Sequence, residues 1–222
     1  MTKQSWIAIG AGALALAVCT LAWWAHRESQ KRELHQQVVA VVQDSTTRLR
    51  QALDLLAAGP EARAELEVDF TALEASIGRT QALNVSIHPA LVEAAHAYVT
   101  DVHALLRRQL ALHAGRDAVR AAVGEIDHHL HAAGTRSPEW IGQALALKQR
   151  LEKSFFDYRL AAGGLEKSLH TLVDTSLRLQ AFVPPDAIIE SDPIVAAQKR
   201  LLELSTEVER QVESARKLPA AG

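Results

Sequence analysis

The sequence is poor in the residue types on which several function classes depend. Its one cysteine, Cys19, lies inside an apolar stretch, so the chain can form no internal disulfide and no thiolate metal site. Met1 is the single methionine, which argues against a soft, methionine-lined groove that accepts many partners. We therefore expect a fold that is held together by the packing of aliphatic side chains.

The chain also has no large excess of one charge sign and few aromatic side chains. The formal net charge is −2 at neutral pH, and aromatic residues make up 5% of the chain. A nucleic-acid surface needs a basic excess or aromatic stacking platforms, and the sequence supplies neither. It also has no P-loop or GxGxxG motif and no marked nucleophile. We predict a non-enzymatic protein with no cofactor and no nucleic-acid partner.

An uncharged apolar stretch, residues 6–25, is the first strong feature that is present. In a helix these residues rise about 30 Å, which is the thickness of the hydrocarbon core of a bilayer. Trp6 at one end and Trp23 and Trp24 at the other suit the two aromatic belts of a membrane. A signal peptide is cleaved after small residues, whereas this stretch ends with the bulky Trp23 and Trp24. We predict a short tail and a retained transmembrane anchor at residues 1–26.

The flanks of this stretch carry conflicting signals about orientation. Arg27, Lys31 and Arg32 outnumber Lys3, and the positive-inside rule would then place the following domain in the cytoplasm. Large domains translocate largely regardless of such charges, however, and a short positive tail is typical of bacterial proteins with an extracytoplasmic domain. We favour a single-pass protein of the bacterial inner membrane with a periplasmic soluble domain, and the cytoplasm is the alternative.

Apolar residues recur at steps of three and four through most of the soluble part, which predicts amphipathic helices. Breaks occur at Gly59-Pro60, at residues 84–89, at Gly134 and at Pro184-Pro185. We predict an all-α fold in which the transmembrane helix continues into an elongated antiparallel four- or five-helix bundle over residues 27–217, with a flexible tail at 218–222. The pattern leaves open whether helix 89–133 is continuous through Gly115, because one glycine costs only about 1 kcal/mol.

The third and fourth helices are predicted to be the longest, so their shared tip near residues 128–138 should project beyond the others. Ser137, followed by Pro138 and Glu139, is a strong start signal for the fourth helix. A projecting two-helix hairpin buries its apolar stripe poorly. We therefore expect a protein partner or a second copy of the chain at this tip.

A histidine cluster near the same tip is a candidate metal site. Its members are His128, His129, His131 and Glu125. Imidazoles at i and i+3 can hold a transition metal, although histidines that cap a solvated helix end are the commoner explanation. Two Glu-x-x-His steps, at 93–96 and 125–128, resemble half of a di-iron motif, but on one straight helix they stand about 48 Å apart.

Six residues are candidate contacts for a ligand or partner. They are Arg48, Tyr98, Phe155, Phe156, Tyr158 and Arg159. Aromatic rings beside a guanidinium suit a pocket for an anionic ligand. The alternative is that Phe155 and Tyr158 are heptad core residues and that Arg48 lies on a solvated helix face.

Two stretches resemble the double all-alpha-helical ligand-binding region found outside the membrane in bacterial sensor kinases. One is D-x-x-x-R-L-R-x-A-L from Asp44, followed by D-F-x-x-L from Asp69. The other is A-L-K-x-x-L from Ala146, continuing through Phe155 to L-x-x-S-L at Leu165. The resemblance implies an extracytoplasmic sensing or adaptor module, with Arg48, Phe155 and Phe156 as ligand contacts.

These features favour a membrane-anchored, non-enzymatic helical module that binds a small-molecule ligand or a protein partner at the cell envelope, for example as an accessory subunit of an envelope complex. The alternative is a structural coiled-coil tether or scaffold, periplasmic or cytoplasmic. A metal-dependent helical-bundle enzyme is less favoured. A sensor predicts a pocket between helices with a few polar groups, a tether predicts a dry continuous seam and a dimer, and the enzyme predicts convergence of its Glu-x-x-His pairs.

Overall fold

The computed structural model describes residues 3–59, 61–131 and 137–217, with side chains from residue 18 onwards. Five α-helices follow one another: α1 (Lys3–Asp54), α2 (Ala62–Gln81), α3 (Pro89–His131), α4 (Pro138–Leu179) and α5 (Ser191–Arg216). A 3-10 turn, Leu55–Ala57, follows α1, and another, Pro185–Ala187, precedes α5. No strand occurs in these described ranges, so the prediction of an all-α bundle of four or five helices is confirmed, and the number is five. The predicted break at Gly134 and the tail 218–222 lie outside the described residues.

α3 and α4 form an antiparallel pair with the most extensive interface of the molecule. Arg108 donates to the carbonyl of Gly164 at 2.5 Å, and nearer the tip the ring of His129 stacks on Trp140 at 4.8 Å. Ser137 caps α4 as predicted, because its hydroxyl accepts the Trp140 N–H at 3.2 Å. α2 packs mainly on α3, and α5 returns along α3, α4 and the end of α1.

Gly115 does not interrupt α3, which is one continuous helix. A Cβ atom built on Gly115 would lie 3.1 Å from the Cα atom of Tyr158 on α4. The two backbones therefore approach so closely here that a side chain would meet backbone atoms. Close helix packing, and not a kink, accounts for this glycine.

The hydrophobic core begins at Leu34 and is built from the stripes that the sequence pattern predicts. On α1 these are Leu34, Val38, Val41, Val42, Leu49 and Leu53, and on α4 they include Leu151, Phe155, Tyr158, Leu165, Leu169 and Leu172. The stripe of α4 extends towards the tip through Ile141, but none of the described residues between 123 and 150 is buried. The α3–α4 tip thus lacks a third helix to cover it.

The described part of α1 that precedes the core, residues 18–33, is mostly exposed to solvent. Large apolar side chains here are mostly exposed, among them Leu21 (65%), Trp23 (61%) and Trp24 (62%). In the described part of the chain, no helix is both long and apolar enough to cross a membrane. The side chains of residues 6–17, which make up the larger part of the predicted anchor, lie outside that part.

Candidate functional site

Arg48 belongs to a charged network between α1 and α2. Its guanidinium lies 2.9 Å from Asp69 and 3.3 Å from Asp44, and Arg79 reaches Asp44 at 2.5 Å. Burial alone would raise the pKa of Asp44, but the hydrogen bond from Arg79 and the charge of Arg48 outweigh it and hold that pKa below its ordinary value. Arg48 therefore fastens two helices together.

Tyr98 is fully buried and connects three segments of the chain. Its hydroxyl lies 2.7 Å from Thr46 Oγ1 on α1, and Thr46 donates to the Ala187 carbonyl at 2.8 Å. Because the one hydroxyl hydrogen of Thr46 goes to that carbonyl, Tyr98 must donate to Thr46. Burial also raises the pKa of Tyr98, so the phenol stays protonated. Tyr98 supports the segment that leads into α5.

The aromatic residues of α4 divide between core and surface. Tyr158 is buried, with its hydroxyl 3.4 Å from Ser205 on α5, whereas Phe156 is 66% exposed. Phe155 is buried under two guanidinium groups, those of Arg159 at 5.9 Å and Arg216 at 5.5 Å from its ring centroid. The observed burial fits the core alternative for Phe155 and Tyr158.

The structure does not gather the six candidate contacts into one pocket. Tyr98 and Gly115, which contacts Tyr158, stand 17 residues apart on α3, about 26 Å along the helix. Arg48 lies in a third place, between α1 and α2. These residues serve different interfaces of the bundle.

Three of the four candidate metal ligands contact other groups of the protein, and the fourth is exposed. Glu125 pairs with Arg150 at 2.5 Å, and His129 Nε2 lies 3.1 Å from the Trp140 carbonyl. His131 contacts the Asp127 carbonyl at 2.7 Å, and His128 is exposed. Among the described residues, no group of three or more His, Cys, Asp or Glu side chains is placed to hold a metal ion. The two Glu-x-x-His pairs share the continuous α3 and do not converge.

A set of polar side chains that sequence reasoning missed closes the carboxyl end of α1; Gln109 and Arg116 are buried, and Arg200 is exposed. Gln109 Nε2 donates to the Ala52 carbonyl at 2.5 Å, Arg116 donates to the Ala58 carbonyl, and Arg200 donates to the Leu53 carbonyl at 3.2 Å. The last carbonyls of a helix have no intrahelical partner. Here side chains of α3 and α5 bind carbonyls in the last turn of α1 and just after the 3-10 turn. His113, beside Arg116, is equally buried.

Stability should fall as the pH drops from 7.5 to 5.5, because two histidines, the buried His113 and the half-buried His103, resist protonation. Burial lowers the pKa of His113, and the charge of Arg116 lowers it further; burial and Arg107 lower that of His103. An unfolded histidine binds its proton near pH 6.5, so the unfolded state takes up protons first and gains stability below that value. Urea midpoints at the two pH values measure the effect.

The His113→Gln variant should show a smaller loss between pH 7.5 and 5.5 than the unsubstituted chain. His128→Gln, which changes an exposed histidine of the same helix, is the matched control and should leave the pH dependence unchanged. Equal pH dependence in all three proteins would contradict the assignment to His113.

A cavity of about 340 Å³ lies between the end of α4 and the start of α5. Its apolar lining consists of Val173, Leu177, Pro185, Ile188, Ile189 and Ile194, and its polar lining of Ser176, Gln180, Glu190, Ser191 and Asp192. The sequence analysis did not identify this site. The one available signal was the apolar pair Ile188-Ile189, which stands between Pro184-Pro185 and the acids of the α5 start.

A shallower groove follows the contact of α3 and α4. Its walls are mostly small residues, among them Ala111, Ala114, Gly115, Ala161 and Gly164. Leu160 lines the groove and is 69% exposed. This groove therefore places an uncovered apolar strip on the outside of the bundle.

Comparison with known proteins identified no relative of this chain. A scan against family models and searches of curated proteins and of solved structures gave no significant match to the chain. The resemblance to the sensor-kinase ligand-binding region therefore stays a prediction from short motifs. Every functional argument for this chain rests on its own residues and their geometry.

Proposed function

We propose that this chain is a membrane-anchored, non-enzymatic helical module that binds a ligand or protein partner at the bacterial cell envelope. The observation that carries the proposal is the division of α1 into two parts. The helix is continuous from Lys3 to Asp54, yet among the side chains described from residue 18 onwards the first buried one is Leu34. One half is held by the bundle, and the other extends beyond it.

A bilayer is the environment that suits the extending half. Exposed apolar surface costs about 25 cal/mol per Å² in water, so a row of large apolar side chains favours a covering phase. The row includes Leu21, Trp23 and Trp24, and the sequence continues without charge back to Trp6. Arg27 lies 5.3 Å from the Trp23 ring, the kind of aromatic and cationic pairing that suits a membrane interface.

The continuous α1 also suits sensing. Arg48 links α1 to α2, and Gln109 and Arg116 bind carbonyls at the carboxyl end of α1. A rigid helix held in this way would transmit a displacement of the bundle to the membrane segment. We place the bundle in the periplasm and the anchor in the inner membrane. An adaptor role, as an accessory subunit of an envelope complex, follows from the same arrangement.

A structural tether is the second candidate, and one observation favours it. Ile141, Leu145, Phe156 and Leu160 leave large apolar side chains exposed along α4. Leu160 also lines the groove of small residues between α3 and α4. A second copy packed on this strip would create the dry seam that a dimeric tether requires.

Membrane fractionation and reporter fusions test the proposal. The full chain should remain in the membrane fraction after alkaline washing, and a reporter fused after Gly222 should be active only when it works in the periplasm. Leu16→Arg, at the centre of the predicted anchor, should impair insertion because a central charge costs about 3 kcal/mol. Ser29→Arg, beyond the anchor, is the matched control and should insert normally.

A full chain that is washed from membranes would overturn the anchoring. A reporter active only in the cytoplasm would overturn the periplasmic assignment and leave an inner-face scaffold. A detergent-solubilised chain that is dimeric, and that becomes monomeric on Phe156→Glu, would favour the tether over the sensing module.

A further inference from the structure

We infer that the cavity between α4 and α5 binds a small molecule with an apolar body and a positively charged amine. This inference deepens the proposed function, on which it rests, by naming the ligand class of the binding module. The site is independent of the six contacts predicted from sequence, because none of them lines it.

The body of the ligand follows from the size and lining of the cavity. Its volume of about 340 Å³ lies in the range of small-molecule sites, which are mainly apolar with a few placed polar groups. Leu177, at the rim, is 62% exposed, whereas Ile188 and Ile189 are buried. An apolar group that enters here would cover Leu177 and contact the two isoleucines.

The charge of the ligand follows from the acids of the lining. Glu190 and Asp192 are the two charged lining residues, and no lysine, arginine or histidine lines the cavity. Among the salt bridges of the described residues none involves either carboxylate, and Asp192 accepts a hydrogen bond from the Ser191 hydroxyl at 3.5 Å. Arg50 approaches from the α1 side but contacts the Ile188 carbonyl at 3.5 Å. Both carboxylates are exposed and therefore partly screened by solvent, and the charge they leave at the cavity favours a cation over an anion.

The polar contact of the ligand is indicated by Ser176. This residue lines the cavity and is 6% exposed, and its hydroxyl has no hydrogen-bond partner among the described residues. A buried hydroxyl without a partner has given up its hydrogen bonds to water and gained none in return, which is unfavourable. An ammonium hydrogen directed at Ser176 Oγ would give this hydroxyl the partner it lacks.

One wall of the cavity is already in place before any ligand arrives. Thr46 holds the Ala187 carbonyl, and Tyr98 holds Thr46. The turn is tightened by backbone bonds from Ala187 and Ile188 to Pro184 and Pro185. A wall fixed in this way lowers the ordering cost of binding.

Calorimetric titration of the full chain in zwitterionic nanodiscs, with empty nanodiscs as the blank, tests the inference. The probes are 2-phenylethylammonium, the neutral 2-phenylethanol and the anionic 3-phenylpropionate. We expect affinity in that order, with the ammonium bound about tenfold more tightly than the alcohol because of the two carboxylates.

Asp192→Asn and Glu190→Gln should each weaken the ammonium several-fold and leave the alcohol unchanged. Glu203→Gln, which removes an exposed acid of α5 outside the cavity, is the matched control and should change neither. Ser176→Ala should weaken the ammonium while the fold is retained, as circular dichroism checks.

Equal affinity for all three probes, no binding at millimolar concentration, or an ammonium affinity that the two acid variants leave unchanged would overturn the inference. If the chain stays in the membrane fraction but binds no probe, this inference fails while the anchoring stands. If the probes bind in the expected order to a chain that alkaline washing releases from membranes, the anchoring fails while the site stands.

Discussion

Tyr98→Ala should lower the free energy of unfolding by about 3–5 kcal/mol, the range for large-to-small changes of buried aromatic residues. Tyr98 is fully buried in the hydrophobic core, and the removal of its ring would leave a cavity there. It would also take a hydrogen-bond donor from Thr46, which holds the segment before α5. Urea denaturation followed by circular dichroism measures the loss.

Two further variants separate packing from hydrogen bonding. Tyr98→Phe keeps the ring and removes the hydroxyl, and should cost about 1 kcal/mol. Phe156→Ala truncates an aromatic side chain that is 66% exposed, and should change stability by less than about 0.5 kcal/mol. Tyr98 and Phe156 are both candidate ligand contacts by sequence, so similar small costs for the two alanine variants would contradict the core role of Tyr98.

Gly115→Val should lower the free energy of unfolding by about 2 kcal/mol through overpacking. The first atom of any side chain at this position would lie 3.1 Å from the Tyr158 Cα and 3.4 Å from its Cβ. The two helices would have to separate along their most extensive interface. The gain in helix propensity over glycine, a few tenths of a kcal/mol, is too small to offset this.

Gly124→Val on the same helix is the matched control. A Cβ built on Gly124 meets no atom within 4 Å, so this variant should be neutral or slightly stabilising. Denaturant midpoints of both variants give the comparison. An equal effect of the two substitutions would show that α3 and α4 do not approach as closely at Gly115 as the structure has them.

The all-α class and the order and approximate ends of the helices follow from the sequence, which left their number at four or five. The stripe from Leu34 to Leu53 and the start of α4 at Ser137 depend on residues three or four positions apart along one helix. Spacings of that kind determine which side chains share a face and which hydroxyl caps a free N–H. Such local relations can be deduced before the tertiary fold is known.

The roles of individual residues were decided by the tertiary structure. The heptad pattern places Ile141 and Phe155 on the same stripe of α4, yet only Phe155 is buried, because α5 does not cover the tip. Gly115 suggests a kink by sequence, but its reason is a neighbour on another helix, Tyr158. Burial depends on which other helix happens to lie opposite, and local spacing contains no such information.

The candidate binding site is the clearest case of this division. Tyr98 contacts Thr46, 52 residues away, and Thr46 contacts Ala187, 141 residues away. The cavity beside them is formed by the end of α4, the segment that follows it and the start of α5, which enclose a space only when all three are packed. The sequence by itself therefore determined a helical bundle with an apolar N-terminal stretch. Tertiary packing alone decided where a cavity opens and which side chains line it, because a cavity is defined by contacts between segments that are distant in the chain.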